Sequence, residues 1–213
     1  MQKNNPLLAD IGNTNFHIYK DNKISHISFK EAKKRYKNQK LLFISVNQKI
    51  NSKISQIKKW QNISNKIRLK GEYKGMGIDR KALCLYKKNG IFIDAGSAIT
   101  VDIMRDGVYR GGFILLGLRA YLKAYKDISP ILETSLNRDI SFDKLPKTTK
   151  DSISYGIITS IKSIISLHQN SDKLYFTGGD GKFLSTFFDN SYYDEAMVFK
   201  GILKAYKKGA IDL

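Results

Sequence analysis

The chain has 213 residues, 42% of them apolar, enough to bury a real core in one domain or in two small fused halves. Its 37 Lys and Arg against 19 Asp and Glu leave a net charge of +18, a balance that suits polyanionic partners such as nucleic acid or membrane headgroups. The single cysteine, Cys84, excludes a disulfide framework and a cysteine-built metal site, and no run approaches the ~18 apolar residues of a membrane-spanning helix.

Residues 7–9 read as a short apolar strand that runs into Asp10. Phe16, Ile18 and the stretch 23–29 (KISHISF) alternate as strands do, with Asp21 and Asn22 as the hairpin turn between them. A charged helix is expected over 29–37, and the continuous apolar run 41–46 (LLFISV) predicts a buried strand. Ile50, Ile54 and Ile57 fall at helical spacing within 50–60. Residues 63–69 suggest another strand. The glycine-punctuated stretch 71–80 (GEYKGMGIDR) predicts a loop leading into a helix near 80–87.

From Gly90 the pattern restarts. The stretch 91–104 (IFIDAGSAITVDIM) reads as strand, turn and strand; Asp106 and Gly107 make the next turn, and VYRGGFIL follows as a third strand. A helix is expected over 118–126, then a charged loop over 127–147. The helix over 149–169 is the best-defined element, with Ile153, Ile157, Ile161, Ile164 and His168 on one stripe. Residues 174–177 predict a strand that ends in GGDG at 178–181, and a last helix covers about 199–208.

The restart is a duplication. LLADIGNTNFHIY and IFIDAGSAITVDI each consist of an apolar strand, Asp-x-Gly, a small polar residue and a second alternating strand. Asp10 matches Asp94, Gly12 matches Gly96, and Asn13 matches Ser97. Two similar half-structures are expected, 1–89 and 90–213, with the two turns facing one another across a cleft. Glycine lets a backbone approach an anion and aim N–H groups at it, and small hydroxyl or amide side chains donate without crowding. An acid at a strand end can hold Mg²⁺, or a water of its shell, beside a phosphate. Each turn therefore suits a phosphate hairpin, one on each side of an ATP.

On these residues the chain resembles the sugar kinase, heat-shock chaperone and actin superfamily. Over its whole length it is similar to the type III pantothenate kinases. The motifs run in order: DIGNT at 10–14, GIDR at 77–80, DAGSAITVD at 94–102, GGFILLG at 111–117, TKDSISYG at 149–156 and TGGDG at 177–181. The resemblance implies an α/β fold of two duplicated ribonuclease H-like halves (the actin-like ATPase fold), each a mixed central sheet flanked by helices. It implies ATP-dependent phosphorylation of pantothenate to 4'-phosphopantothenate, the first step of coenzyme A synthesis.

The resemblance also carries residue roles. Asp10, Ile11, Gly12, Asn13, Thr14 and Asn15 correspond to the hairpin for ATP and Mg²⁺, Ser97 to the second phosphate contact, and Gly178 and Gly179 to the adenosine turn. Asp79 matches the catalytic base, and Gly77, Ile78, Asp79 and Arg80 the pantothenate loop; Tyr73 and Thr149 match further substrate contacts. Asp94 matches the ligand of a monovalent cation, K⁺ or NH₄⁺. A homodimer is implied. Leu116 stands where the family usually has Pro, Ser97 where Thr is common, Thr148 where Asn is common, and the loop from Tyr73 to Asp79 is short.

Other residues fit no such constellation. His17, His26 and His168 are scattered without ligand spacing. Asp102 alternates away from Ile99, Val101 and Ile103 and could support the cleft from behind. Cys84 and Trp60 read as packing residues. The competing reading is a basic nucleic-acid-binding or regulatory protein on the same fold. The excess charge is mostly dispersed Lys, which an AT-rich coding composition also produces, and no dense basic block occurs. Nucleic acid and membrane are therefore not expected as partners, and a cytoplasmic protein is expected.

Overall fold

The computed structural model describes residues 6–12, 16–45 and 48–208. Two compact units emerge: Met1–Lys88 with Arg105–Tyr109 and Glu195–Leu213, and Asn89–Met104 with Arg110–Asp194.

The first unit begins with β1 (Leu7–Ile11), β2 (Phe16–Lys20) and β3 (Lys23–Ile27), an antiparallel meander. Asp21 (φ 49°) and Asn22 (φ 60°) turn the second hairpin in the left-handed region, where Asp and Asn are among the few side chains tolerated. Helix α1 (Phe29–Tyr36) starts where Ser28 Oγ accepts the Glu31 N–H. β4 (Leu41–Ser45) pairs in parallel with β1, and β5 (Trp60–Asn62) in parallel with β4, after α2 (Gln48–Ile54). Helix α3 (Ile78–Cys84) follows the glycine-rich loop. Leu7, Ala9, Ile11, Phe16, Ile18, Leu41, Phe43, Ile54 and Trp60 form the core on one face of this sheet.

The second sheet repeats the plan. β6 (Gly90–Ala95), β7 (Ala98–Arg105) and β8 (Val108–Leu116) lead to α4 (Leu118–Ile128) and α5 (Thr149–Gln169); then come β9 (Leu174–Thr177), the short α6 (Gly181–Ser185) and β10 (Ser191–Tyr193). The first sheet has the order β3-β2-β1-β4-β5 and the second β8-β7-β6-β9-β10, the same topology strand for strand. Asp106 (φ 51°) and Gly107 (φ 75°) repeat the left-handed hairpin turn. Here the core is built from Ile91, Ile93, Ala95, Ile99, Val101 and Phe176 against Ile153, Ile157, Ile161 and Ile165 of α5. Fully burying each such side chain contributes about 1.5–3 kcal/mol. The last helix, α7 (Met197–Lys208), packs in the first unit against α3 and β1. Its Gly201 abuts the Ala82 carbonyl with no space for a side chain, and its Phe199 stacks on Tyr19 with ring centroids 5.2 Å apart.

Some expectations change. The strand lies at Trp60–Asn62 rather than 63–69, which instead holds a 3-10 turn (Ser64–Lys66) whose Ser64 N–H donates to Asn62 Oδ1 at 2.9 Å. Ile63, Ile67 and Leu69 are buried from irregular backbone, and that burial gave them a strand-like pattern. The helix expected within 50–60 stops at Ile54, and the Ile57 N–H folds back onto the Ile54 carbonyl. On α5 the apolar stripe turns toward Ile165, leaving Ile164 half-buried and His168 exposed, its ring 5.4 Å from Phe113. Val46 lies outside the described residues.

Candidate active site

In the first unit, β1 buries Ala9 and Ile11 in the core and turns Asp10 to the opposite face. Asp10 is half-buried, directly across from His17 on β2 and Ile44 on β4. Gly12 leaves the strand. Asn13, Thr14 and Asn15 lie outside the described residues.

The histidines are not all scattered. A two-residue turn sets His17 directly opposite His26, and their Nδ1 atoms approach to 2.8 Å. His26 Nε2 meets Glu195 Oε1 at 3.1 Å. Burial, then the neighbouring His26, hold the His17 imidazole below its ordinary value, opposed in part by Glu195. Among the described residues no group of three or more His, Cys, Asp or Glu is arranged to hold a metal ion.

The loop over 71–80 is built more firmly than its glycines suggest. The Glu72 carboxylate accepts the Leu69 N–H at 2.8 Å and the Lys81 ammonium at 2.9 Å. Burial pushes this carboxyl up, but the Leu69 N–H, Lys81 and Arg68 together hold it below its ordinary value. Lys70 bridges to Val108, the Tyr109 N–H donates to the Lys70 carbonyl at 2.8 Å, and Gly71 (φ 86°) passes against the Tyr109 carbonyl. Gly77 is the N-cap of α3, which puts Ile78 and Asp79 in its first turn, where a carboxylate is favoured. Asp79 Oδ1 accepts the Arg80 N–H at 2.8 Å and lies over Gly77, where a Cβ would meet it at 2.6 Å. Arg80 is buried; its Nη1 donates to the Tyr73 hydroxyl at 2.7 Å and its Nη2 to the Tyr109 hydroxyl at 3.5 Å. Tyr73, 47% exposed, thus stands beside Arg80. Tyr109 was not foreseen: it sits 29 residues from Arg80, and nothing local marks it.

In the second unit Asp94 occupies the place of Asp10, across from Thr100 on β7 and Thr177 on β9. All three side chains share the sheet face turned away from α5. The Thr100 hydroxyl is buried and has no hydrogen-bond partner among the described residues. Gly96 and Ser97 form an exposed turn. Gly117, at the end of the GGFILLG motif, lies flush against the Gly96 and Ser97 carbonyls, and Gly178 against Asp94 and Ala95. Two motifs distant in sequence therefore wall the turn of a third. Gly179 has open space where a side chain would be. Asp102 is fully buried, on the same sheet face as Asp94.

Thr149 is the first residue of α5 and is exposed, one position after the N-cap Thr148, whose hydroxyl accepts the Asp151 N–H. Hydrogen bonds from Asn137 and Thr148 hold the Asp151 carboxyl below its ordinary value. The neighbouring Arg138 pairs with Asp180 at 2.5 Å.

Comparison with known proteins gives the family. The family model described as type III pantothenate kinase matches residues 45–168. A type III pantothenate kinase of Helicobacter hepaticus is 42% identical over 203 residues, covering 95% of this chain and 98% of that one. The chain belongs to the type III pantothenate kinases. A solved Campylobacter jejuni chain, described as a conserved Baf family transcriptional activator, aligns with a TM-score of 0.87 at 38% identity, covering 96% of this chain and 99% of that one. The activator of 2-hydroxyisocaproyl-CoA dehydratase from Clostridium difficile, solved with bound ADPNP, aligns with a TM-score of 0.53 at 12% identity over 98% of this chain and 97% of that one. A likeness of that degree shows the fold alone, the duplicated actin-like ATPase fold expected for the family.

Proposed function

We propose that the chain transfers the γ-phosphoryl group of ATP to the primary hydroxyl of pantothenate, with Asp79 as general base. The activity follows from family membership. The residue roles rest on one observation above all: Asp79 stands in the first turn of α3, after a loop pinned at both ends, with its Oδ1 held by the Arg80 N–H and Arg80 in turn on Tyr73. A base must reach the hydroxyl whose proton it accepts, and a rigid loop holds it there. Phosphoryl transfer asks the protein mainly for positioning and charge neutralisation.

In this reading the half spanning 1–89 supplies Asp10 to Gly12, with Asn13, Thr14 and Asn15, for ATP and Mg²⁺. It also supplies the substrate loop: Tyr73, Gly77, Ile78 and Arg80. The half spanning 90–213 supplies Ser97 for phosphate, Gly178 and Gly179 for the adenosine, Thr149 for pantothenate, and Asp94 for K⁺ or NH₄⁺. Arg80 is already engaged by two tyrosine hydroxyls, so its contact with the pantothenate carboxylate would be shared with Tyr73. The donor sets suit these ions. Mg²⁺ takes one or two carboxylates and completes its shell with phosphates and water, so Asp10 needs no protein cage around it. Beside Asp94 the unpartnered Thr100 hydroxyl is an oxygen donor of the kind a hard cation takes. When bound, the two cations would neutralise phosphate charge.

Exposed Ile114 and Leu116 on β8, with Ile128 at the end of α4 and Ile131 beyond it, support a homodimer. A single buried cysteine is compatible with a reducing cytoplasm, and no helix among the described residues is long and apolar enough to cross a membrane. The basic nucleic-acid reading gains no site from the fold.

The test is ADP release from Mg-ATP and pantothenate, in K⁺ and again in Na⁺, for the unaltered chain and Asp79→Asn. Pantothenate-dependent turnover that needs K⁺ and falls about 10²- to 10⁴-fold in the Asn variant is expected. Full turnover by Asp79→Asn would remove Asp79 from the role of base.

A further inference from the structure

We propose that Arg138 is a specificity residue for the nucleotide, its guanidinium plane forming a stacking surface for the purine base. The inference rests on the reading in which the Gly178–Gly179 turn meets the adenosine of ATP. Asp180 follows that turn directly, and its N–H is held by the Ala95 carbonyl at 3.0 Å, so its position is tied to the turn. Arg138 Nη2 pairs with Asp180 Oδ1 at 2.5 Å. The guanidinium carbon lies over the ring of Phe183 on α6, 4.5 Å from its centroid. The side chain remains 51% exposed.

The backbone behind it is fixed. The Asn137 N–H donates to Ser154 Oγ and the Asn137 amide to Asp151 Oδ1, both at 2.8 Å and both on α5. A loop residue is thus carried to the Gly-Gly turn by contacts within the chain itself. Stability does not account for this, because an exposed ion pair contributes only about 0–1 kcal/mol. Guanidinium is planar, weakly hydrated and stacks on aromatic faces, which an ammonium group does not reproduce. Beside it Gly179 leaves open space rather than a wall. A planar cation that lies over Phe183 and keeps half of its surface exposed matches the chemistry of a purine nucleotide.

The experiment measures binding of ADP and of inorganic tripolyphosphate to the full-length chain, to Arg138→Ala and to Arg138→Lys, with KM values alongside. Both variants are expected to lose about 3- to 30-fold in ADP affinity, with a matching rise in KM for ATP. The Lys variant keeps tripolyphosphate affinity and thermal stability, and KM for pantothenate does not follow the change. ADP affinity restored by Lys, or an equal loss for tripolyphosphate in the Ala variant, would show a point charge acting on phosphate and overturn the stacking role. Unaltered ADP affinity in both variants, with the parent chain binding ADP, overturns this inference alone. No ADP binding by the parent chain overturns it together with the nucleotide reading.

Discussion

Gly178 lies against Asp94 so closely that a Cβ there would stand 2.5 Å from Asp94 Oδ1 and 2.6 Å from the Ala95 carbonyl oxygen. Its φ of +84° is also a conformation that side chains resist. The contact joins the end of β9 to the end of β6, and it makes the shape of the Asp94 turn depend on a glycine more than 80 residues away.

Gly178→Ala therefore meets two penalties, left-handed backbone and overlap with backbone atoms. A loss of at least about 2 kcal/mol is expected, or a fall in Tm of about 4–8 °C for a chain of this size. Gly179→Ala has open space and a permitted backbone, so its Tm should match the parent. Calorimetry on the two variants checks the contrast, and equal Tm values would show that the turn adapts.

Thr100→Val removes the buried, unpartnered hydroxyl while keeping its shape. Losing an unsatisfied buried group is close to neutral for stability, whereas losing a bond to a cation costs about 1.5–3 kcal/mol. The expected result is an unchanged or raised Tm in Na⁺ together with a K⁺ requirement shifted upward by about tenfold or more. A lowered Tm with unaltered K⁺ dependence would give the hydroxyl a structural role instead.

Glu72 predicts a pH effect. Its carboxyl is held below its ordinary value in the folded chain, so the unfolded chain binds the proton more readily. Its stabilisation is complete above the unfolded value near 4.5 and fades as pH falls through the lower folded value. Thermal unfolding from pH 7 to pH 3 should show Glu72→Gln less stable than the parent at neutral pH, with the gap closing in acid. The group is partly solvated and the loop is local, so the gap will be modest. A gap that widens in acid would contradict this assignment.

Much of the plan was legible because it rests on short-range chemistry. The two hairpin turns use Asp, Asn and Gly at positive φ, and those residues announce it. The 21 residues of α5 appear with their expected bounds because an apolar stripe and a Thr N-cap coincide. Even the His17–His26 pair could be found: a two-residue turn at Asp21 and Asn22 fixes the register that sets them opposite each other. The stretch 63–69 misled, since Ile63, Ile67 and Leu69 are buried from irregular backbone that no periodicity describes.

By itself the sequence determined the duplication, the residue type at each turn and the order of the motifs. These depend on backbone preference and on alternation along a strand, which act over a few residues. Only tertiary structure decided that α7 returns to the first unit through Gly201, that Tyr109 reaches Arg80, that Gly117 and Gly178 wall the Asp94 turn, and that Arg138 lies over Phe183 beside Asp180. Those contacts join residues far apart in the chain. They are set by how helices and sheets pack, a constraint shared among many side chains and written in no single stretch of the sequence.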